Sequence, residues 1–231
     1  MKERINSLII VDVQRGFMPA SEGDRLKVDG FGELGVQGGE AIVTRVNALT
    51  RAIGQSANSL IATTQDWHPT STAHFSSEPN YIGTWPVHCV GNTPGAELHP
   101  DLIVATQPEI ATRFIKGDLA CESPADDTSY TGALAYNPIT KETLPDYLRS
   151  HEPSNVYVTG LALGDGDKHP LCVDSTARDL SRDGFNITLI TDATEAVFPD
   201  NRERCFRNLA REGIRLITTE QALMELTGDI S

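Results

Sequence analysis

Four apolar residues in a row, Leu8-Ile9-Ile10-Val11, stop abruptly at Asp12. A strand buried on both faces of a parallel sheet reads this way, because neither face can carry the polar half of an alternation. Comparable runs return at Ser59 to Thr64, Ile110 to Ile115, Val156 to Gly160, Ile187 to Thr191 and Arg215 to Thr218. Between them lie segments of helical character. Ile42, Val46, Leu49 and Ile53 recur at helical spacing within about Glu40 to Ala57, and further helices are expected near Lys141 to Ser150, Cys172 to Arg182, Asn201 to Glu212 and Gln221 to Leu226. Strands alternating with helices predict an α/β fold with a mostly parallel central sheet and right-handed crossovers. With 231 residues, no internal repeat and no linker-like shift in composition, residues 1–231 are expected to form a single domain.

Charge narrows the range of partners. Nineteen Lys and Arg against 32 Asp and Glu leave a formal charge of -13, the wrong sign for neutralising phosphates or docking on anionic lipid. Neither nucleic acid nor a membrane is expected as a partner. The apolar run after Asn6 is too short for a signal-peptide core or a membrane span, so the expected address is cytoplasmic. Cys89, Cys121, Cys172 and Cys205 form no CxxC pair, and thiols stay reduced in a cytosol.

In open parallel sheets the functional site lies beyond the C-terminal strand ends. Asp12, Asp66, Lys116 and the loop leading to Cys172 all fall at that edge if the strand reading holds. The long irregular stretch from Gln65 to Thr106 adds Asp66-Trp67-His68, His74 and His88, braced by several prolines. One carboxylate and three imidazoles are ligand types that suit Zn²⁺ or Fe²⁺, and an Asp-x-His pair in an extended segment shares a face. Taken singly, each histidine reads first as a loop residue bonded to backbone, and it is three of them beside one acid that favour a metal.

Cys172 opens a run with helix character, where backbone N–H groups and the helix dipole favour thiolate, and a nearby Lys116 is expected to depress the thiol further. Asp12 would hold the proton. The alternative is a small buried hydrophobe, the commonest fate of a cysteine. Cys205 reads as helix packing, Cys121 as an unactivated loop thiol, and Cys89, beside His88, as the weaker competitor. Phe17, Trp85 and Tyr130 lie in loops near these groups, as core packing or as aromatic walls for a flat ring.

These segments, in this order, resemble the nicotinamidase/pyrazinamidase branch of the isochorismatase-like cysteine hydrolases. The matching stretches are LIIVDVQRGFMP, TTQDWHPTSTAHF, TWPVHCVGNTPGAELHP, FIKG and VTGLA followed by CVDSTARDL. The resemblance implies a Rossmann-like three-layer α/β/α sandwich with Asp12, Lys116 and Cys172 as catalytic triad. It implies a divalent ion, Zn²⁺ or alternatively Fe²⁺ or Mn²⁺, on Asp66, His68 and His88, with His74 a ligand in some members. It further implies an oxyanion hole from the backbone N–H groups of Ala162 and Cys172, a cis peptide in the Leu161-Ala162 region, and ring contacts from Phe17, Trp85 and Tyr130. The implied reaction is nicotinamide to nicotinate and ammonia, with pyrazinamide as a second substrate, in a homo-oligomer serving NAD salvage and pyridine nucleotide biosynthesis.

One departure stands out. Leu163 to Leu171 (LGDGDKHPL) puts nine residues between the Gly-Leu-Ala segment and Cys172, where relatives have a much shorter link. Such an insertion is expected to bulge outward as a lid or subunit contact, or to remodel the pocket. Asp165, Asp167 and His169 read as solvated loop. Rival readings are an amidase of another small amide, an ion that activates water with Cys172 a bystander, and an inactive nicotinamide binder whose oxyanion hole the insertion has spoiled.

Overall fold

The structure, a computed structural model, describes residues 5–19 and 29–228. Its framework is a six-stranded, all-parallel sheet in the order β3-β2-β1-β4-β5-β6, formed by β1 (Asn6–Val11), β2 (Leu60–Asp66), β3 (Thr112–Lys116), β4 (Asn155–Leu163), β5 (Ile187–Ala196) and β6 (Arg215–Ile217). The helices are α1 (Gly39–Ile53), the single turn α2 (Ile103–Thr106), α3 (Leu144–His151), α4 (Cys172–Arg182), α5 (Arg202–Arg211) and α6 (Thr219–Thr227). This is the three-layer α/β/α arrangement expected.

Strand β1 explains the layering. Leu8 and Ile10 enter one apolar cluster with Ile42, Val46 and Leu49 of α1, whereas Ile9 and Val11 enter the other with Val173, Ala177 and Leu180 of α4. Every residue of the run is therefore buried, as a strand covered on both faces requires. Chain order reverses between β1 and β4, and a crevice forms beyond the carboxyl ends of strands at such a reversal.

Several expected boundaries move. The Glu40 to Ala57 helix ends at Ile53, where the Gly54 N–H bonds back to the Thr50 carbonyl. Ile110 closes a tight turn instead of opening β3, and β5 runs on to Ala196 instead of ending at Thr191. The largest change is at Gly160, read as a strand end: β4 continues through it to Leu163. A Cβ at Gly160 would lie 2.0 Å from the Val11 carbonyl oxygen, and φ there is +123°. The glycine thus allows β4 to press against the end of β1 at Val11, while its pairing with β5 shifts register between Val158 and Gly160. Among the described residues no helix is long and apolar enough to cross a membrane.

Candidate active site

Sheet register brings the first charged groups together. The last paired residues of β2 and β3 are Asp66 and Lys116, and Val11 pairs with both Thr64 and Gly160, so Asp12 emerges at the same level. Asp12 adopts φ +48°, which an aspartate tolerates, and its Oδ1 accepts a hydrogen bond from Thr64 Oγ1 at 2.7 Å. Gln14 fixes the neighbouring backbone by accepting from the Asp66 N–H and donating to the Asp66 carbonyl, both at 2.8 Å.

Lys116 is almost wholly buried and fully engaged. Its Nζ lies 2.8 Å from Asp12 Oδ2 and 3.4 Å from Cys172 Sγ, and it also donates to Asp66 Oδ1 and the Ser129 carbonyl. Burial alone would lower its pKa, but the charges of Asp12, Asp66 and Cys172 reverse that and hold it well above the ordinary lysine value. For Asp66, burial is likewise overcome, by Lys116 and then by His68, and the carboxyl stays well below its usual range. Asp12 goes the other way. Burial, opposed by Lys116 but helped by the charge of Asp66, raises its carboxyl, which suits a group that must take and return a proton.

Cys172 is the first residue of α4, so its backbone N–H has no partner within the helix. Its thiol corrects an expectation. Burial raises it well above the ordinary cysteine value, Lys116 opposes that only in part, and Asp12 and Asp66 add to it. The resting site therefore holds a thiol beside a carboxylate that can accept its proton, rather than a preformed thiolate. Lys116 does pull the thiol down, but the sequence carries no measure of desolvation.

The histidines converge because the irregular stretch after β2 folds back on itself. His68 donates its N–H to the Cys89 carbonyl and accepts from the Gly91 N–H, while the Trp85 N–H bonds to the His74 carbonyl. One nitrogen from each of His68, His74 and His88 then lies within 4.8 Å of the others, all three residues being buried. Asp127 grips His74 Nδ1, and His88 Nδ1 lies 2.7 Å from the Pro86 carbonyl. Burial and the neighbouring imidazoles push His88 down to about 3, so it is neutral and its Nε2 keeps a lone pair. His68 Nε2 and His74 Nε2 are buried without a hydrogen-bond partner. Orphaned imidazole nitrogens oriented by carboxylate and carbonyl acceptors are what a divalent cation needs. Asp66 stands between the two clusters, its Oδ2 3.7 Å from His68 Nε2.

Both clusters open on one narrow cleft, lined by Phe17, Trp85, Tyr130, Asp66, His74, His88, Ala162 and Cys172 among others. Trp85 Nε1 donates to Tyr130 Oη at 2.8 Å, and the Phe17 ring sits 5.3 Å from that of His88. The peptide between Leu161 and Ala162 is cis, as expected. Sequence reasoning missed Leu34 and Val197 in the cleft wall, the Ser129 carbonyl beneath Lys116, and Asp127 behind His74. None of these carried a signal, since a backbone carbonyl and one acid in a polar loop look like any others.

The remaining cysteines stay outside this chemistry. Cys89 is fully buried with its thiol 3.5 Å from the Gly95 carbonyl, and Cys205 is buried against the Gly164 carbonyl at 3.3 Å. Cys121 lies 3.1 Å from Thr72 Oγ1. The ends of the insertion stay together and its last residue, Leu171, lines the cleft; Asp167 and His169 are exposed, as expected, but Asp165 is half-buried and accepts the N–H groups of both.

The model of the isochorismatase domain matches residues 125–221. The nicotinamidase of Escherichia coli is 32% identical over 226 residues, covering 92% of this chain and 94% of that protein. The pyrazinamidase of Pyrococcus horikoshii, solved in complex with zinc, superposes with a TM-score of 0.70 at 32% identity, over 92% of this chain and 98% of that one. PnC1 of L. infantum, solved in complex with nicotinate, also gives 0.70, at 28% identity and 93% coverage of both chains. The chain belongs to the nicotinamidase/pyrazinamidase branch of the isochorismatase-like hydrolases.

Proposed function

We propose that this chain hydrolyses nicotinamide to nicotinate and ammonia, and pyrazinamide to pyrazinoate, through a thioester on Cys172. The observation that carries the reading is a buried Asp12–Lys116–Cys172 cluster and a three-imidazole cluster opening on one aromatic-walled cleft. Two functions need two sets of residues. A metal hydrolase that attacks with bound water has no use for a cysteine so placed, and a simple cysteine amidase has none for the imidazoles.

In the proposed sequence Cys172 passes its proton to Asp12 and its sulfur bonds to the carboxamide carbon. The developing oxyanion is received by the backbone N–H groups of Ala162 and Cys172. Asp12 returns the proton to the departing nitrogen, and ammonia leaves. Water then gives a proton to Asp12 and cleaves the thioester, releasing nicotinate and restoring the thiol. Lys116 keeps its proton throughout and fixes the spacing of carboxylate and sulfur. Asp66, His68, His74 and His88 would hold a divalent ion, with Zn²⁺ proposed and Fe²⁺ or Mn²⁺ accepted by the same donors. When bound, that ion supplies a Lewis-acidic partner for the pyridine nitrogen, while Phe17, Trp85 and Tyr130 confine the ring. The reading extends to a cytoplasmic homo-oligomer returning nicotinamide to pyridine nucleotide synthesis.

The test is ammonia release from nicotinamide by the purified chain, with metal analysis before and after chelation. Turnover that is lost on chelation and restored by Zn²⁺, Fe²⁺ or Mn²⁺ is expected. Asp127→Ala, which frees His74 Nδ1, should weaken metal affinity about 10- to 100-fold. Metal-free protein that hydrolyses nicotinamide at the parental rate contradicts the reading.

A further inference from the structure

The nine-residue excursion between Ala162 and Cys172 leaves a problem that one side chain solves. Asp174, in the first turn of α4, is completely buried. A single oxygen, Oδ1, accepts the N–H of Leu171 at 2.8 Å and the N–H of Gly164 at 3.1 Å. Those residues lie at the two ends of the excursion, one just before Cys172 and the other just after the Ala162-Leu163 dipeptide. Within the loop the Asp165 N–H bonds to the His169 carbonyl, and a Cβ on Gly164 would come within 2.1 Å of that same oxygen. From outside, α5 adds Arg204 Nε to the Asp165 carbonyl at 2.7 Å and Cys205 Sγ to the Gly164 carbonyl at 3.3 Å.

We propose that Asp174 is a positioning residue which ties the ends of the Leu163 to Leu171 excursion to one point, so that the backbone donors of Ala162 and Cys172 meet the same oxyanion. The inference rests on the proposed amide hydrolysis and adds the element that lets this chain carry its insertion.

Burial raises the Asp174 carboxyl to about 6, against the opposing pull of the Leu171 N–H, Arg178 and the Gly164 N–H. Its charged surroundings are Arg178 on its own helix, 3.3 Å from Oδ2 and itself paired with Glu212, together with Cys205 and Arg204 of α5 and Asp165 of the loop. A carboxyl raised in the fold contributes most to stability below its unfolded pKa, and that contribution is lost as pH rises through about 6. At neutral pH the charge therefore opposes folding, and a brace serving stability alone would do better as an amide. Below about pH 6 the carboxyl takes a proton and the grip on both N–H groups weakens.

The experiment compares metal-loaded parent, Asp174→Ala and Asp174→Asn in nicotinamide turnover across pH, in melting, and in alkylation of Cys172 by iodoacetamide followed by mass spectrometry. Asp174→Ala is expected to lower kcat about 100-fold with KM within about threefold. Asp174→Asn, which keeps an acceptor oxygen, should recover to within about tenfold of parent and melt no lower than parent at pH 7.5. Cys172 should alkylate faster in Asp174→Ala, because its helix terminus loosens, and at close to the parental rate in Asp174→Asn. Parental kcat in Asp174→Ala, or a parental alkylation rate of Cys172 in that variant, overturns the proposal. If the parent releases no ammonia from nicotinamide, the hydrolase reading fails separately, and the alkylation rates still decide the role of Asp174.

Discussion

Replacing Cys172 by Ala is expected to lower ammonia release from nicotinamide by more than about 1,000-fold while leaving metal content unchanged. The separation follows from the geometry: Sγ lies 3.4 Å from Lys116 Nζ, whereas the imidazole nitrogens form a cluster of their own, held by Asp127 and the Pro86 carbonyl. Cys89 and Cys205 cannot take over, since both are fully buried against backbone carbonyls, and Cys121 is bonded to Thr72 Oγ1 and does not line the cleft. Metal analysis beside the ammonia assay checks both halves. An Ala variant that retains turnover would leave the ion as the activator of water and Cys172 as a bystander.

Lys116→Met carries the second large effect, this time on stability as well as rate. The side chain fits the volume, but its loss leaves Asp12 and Asp66 buried without the cation that both share. Removing one partner of a buried ion pair costs about 3–5 kcal/mol, because a charge stays desolvated and uncompensated. In the parent, Asp66 is held low by Lys116, so its contribution to stability is present above the ordinary carboxyl range and lost as pH falls. Without Lys116, burial dominates at both carboxyls and the sign reverses: the variant should be most stable in acid and lose stability as pH rises. Chemical denaturation at pH 5 and pH 8 tests this. Equal losses relative to parent at both pH values would show that the ammonium does not balance these acids.

How far the sequence reaches is clear from individual residues. Asp12 and Lys116 were legible because each ends an apolar strand run, and strand ends at a chain reversal converge whatever the details of packing. The pairing of Asp66 with Lys116 was not legible, since that register is a long-range property of β2 and β3. Gly160 misled because glycine ends strands more often than it lets one strand press on another. Asp174 was hidden inside a helical pattern, where an acid in the first turn reads as an ordinary cap. The state of Cys172 was misjudged for a related reason: residue type supplies the nearby charges, but only the fold supplies the desolvation.

The covalent step is the centre of the account, and partitioning tests it most directly. Nicotinamide and methyl nicotinate can be turned over by the same preparation in the presence of hydroxylamine, and nicotinohydroxamate and nicotinate measured. A shared nicotinoyl thioester predicts one ratio of the two products from both substrates, because the leaving group has gone before hydroxylamine competes with water. Ratios that differ between amide and ester, or turnover with no hydroxamate at all, would contradict attack by Cys172.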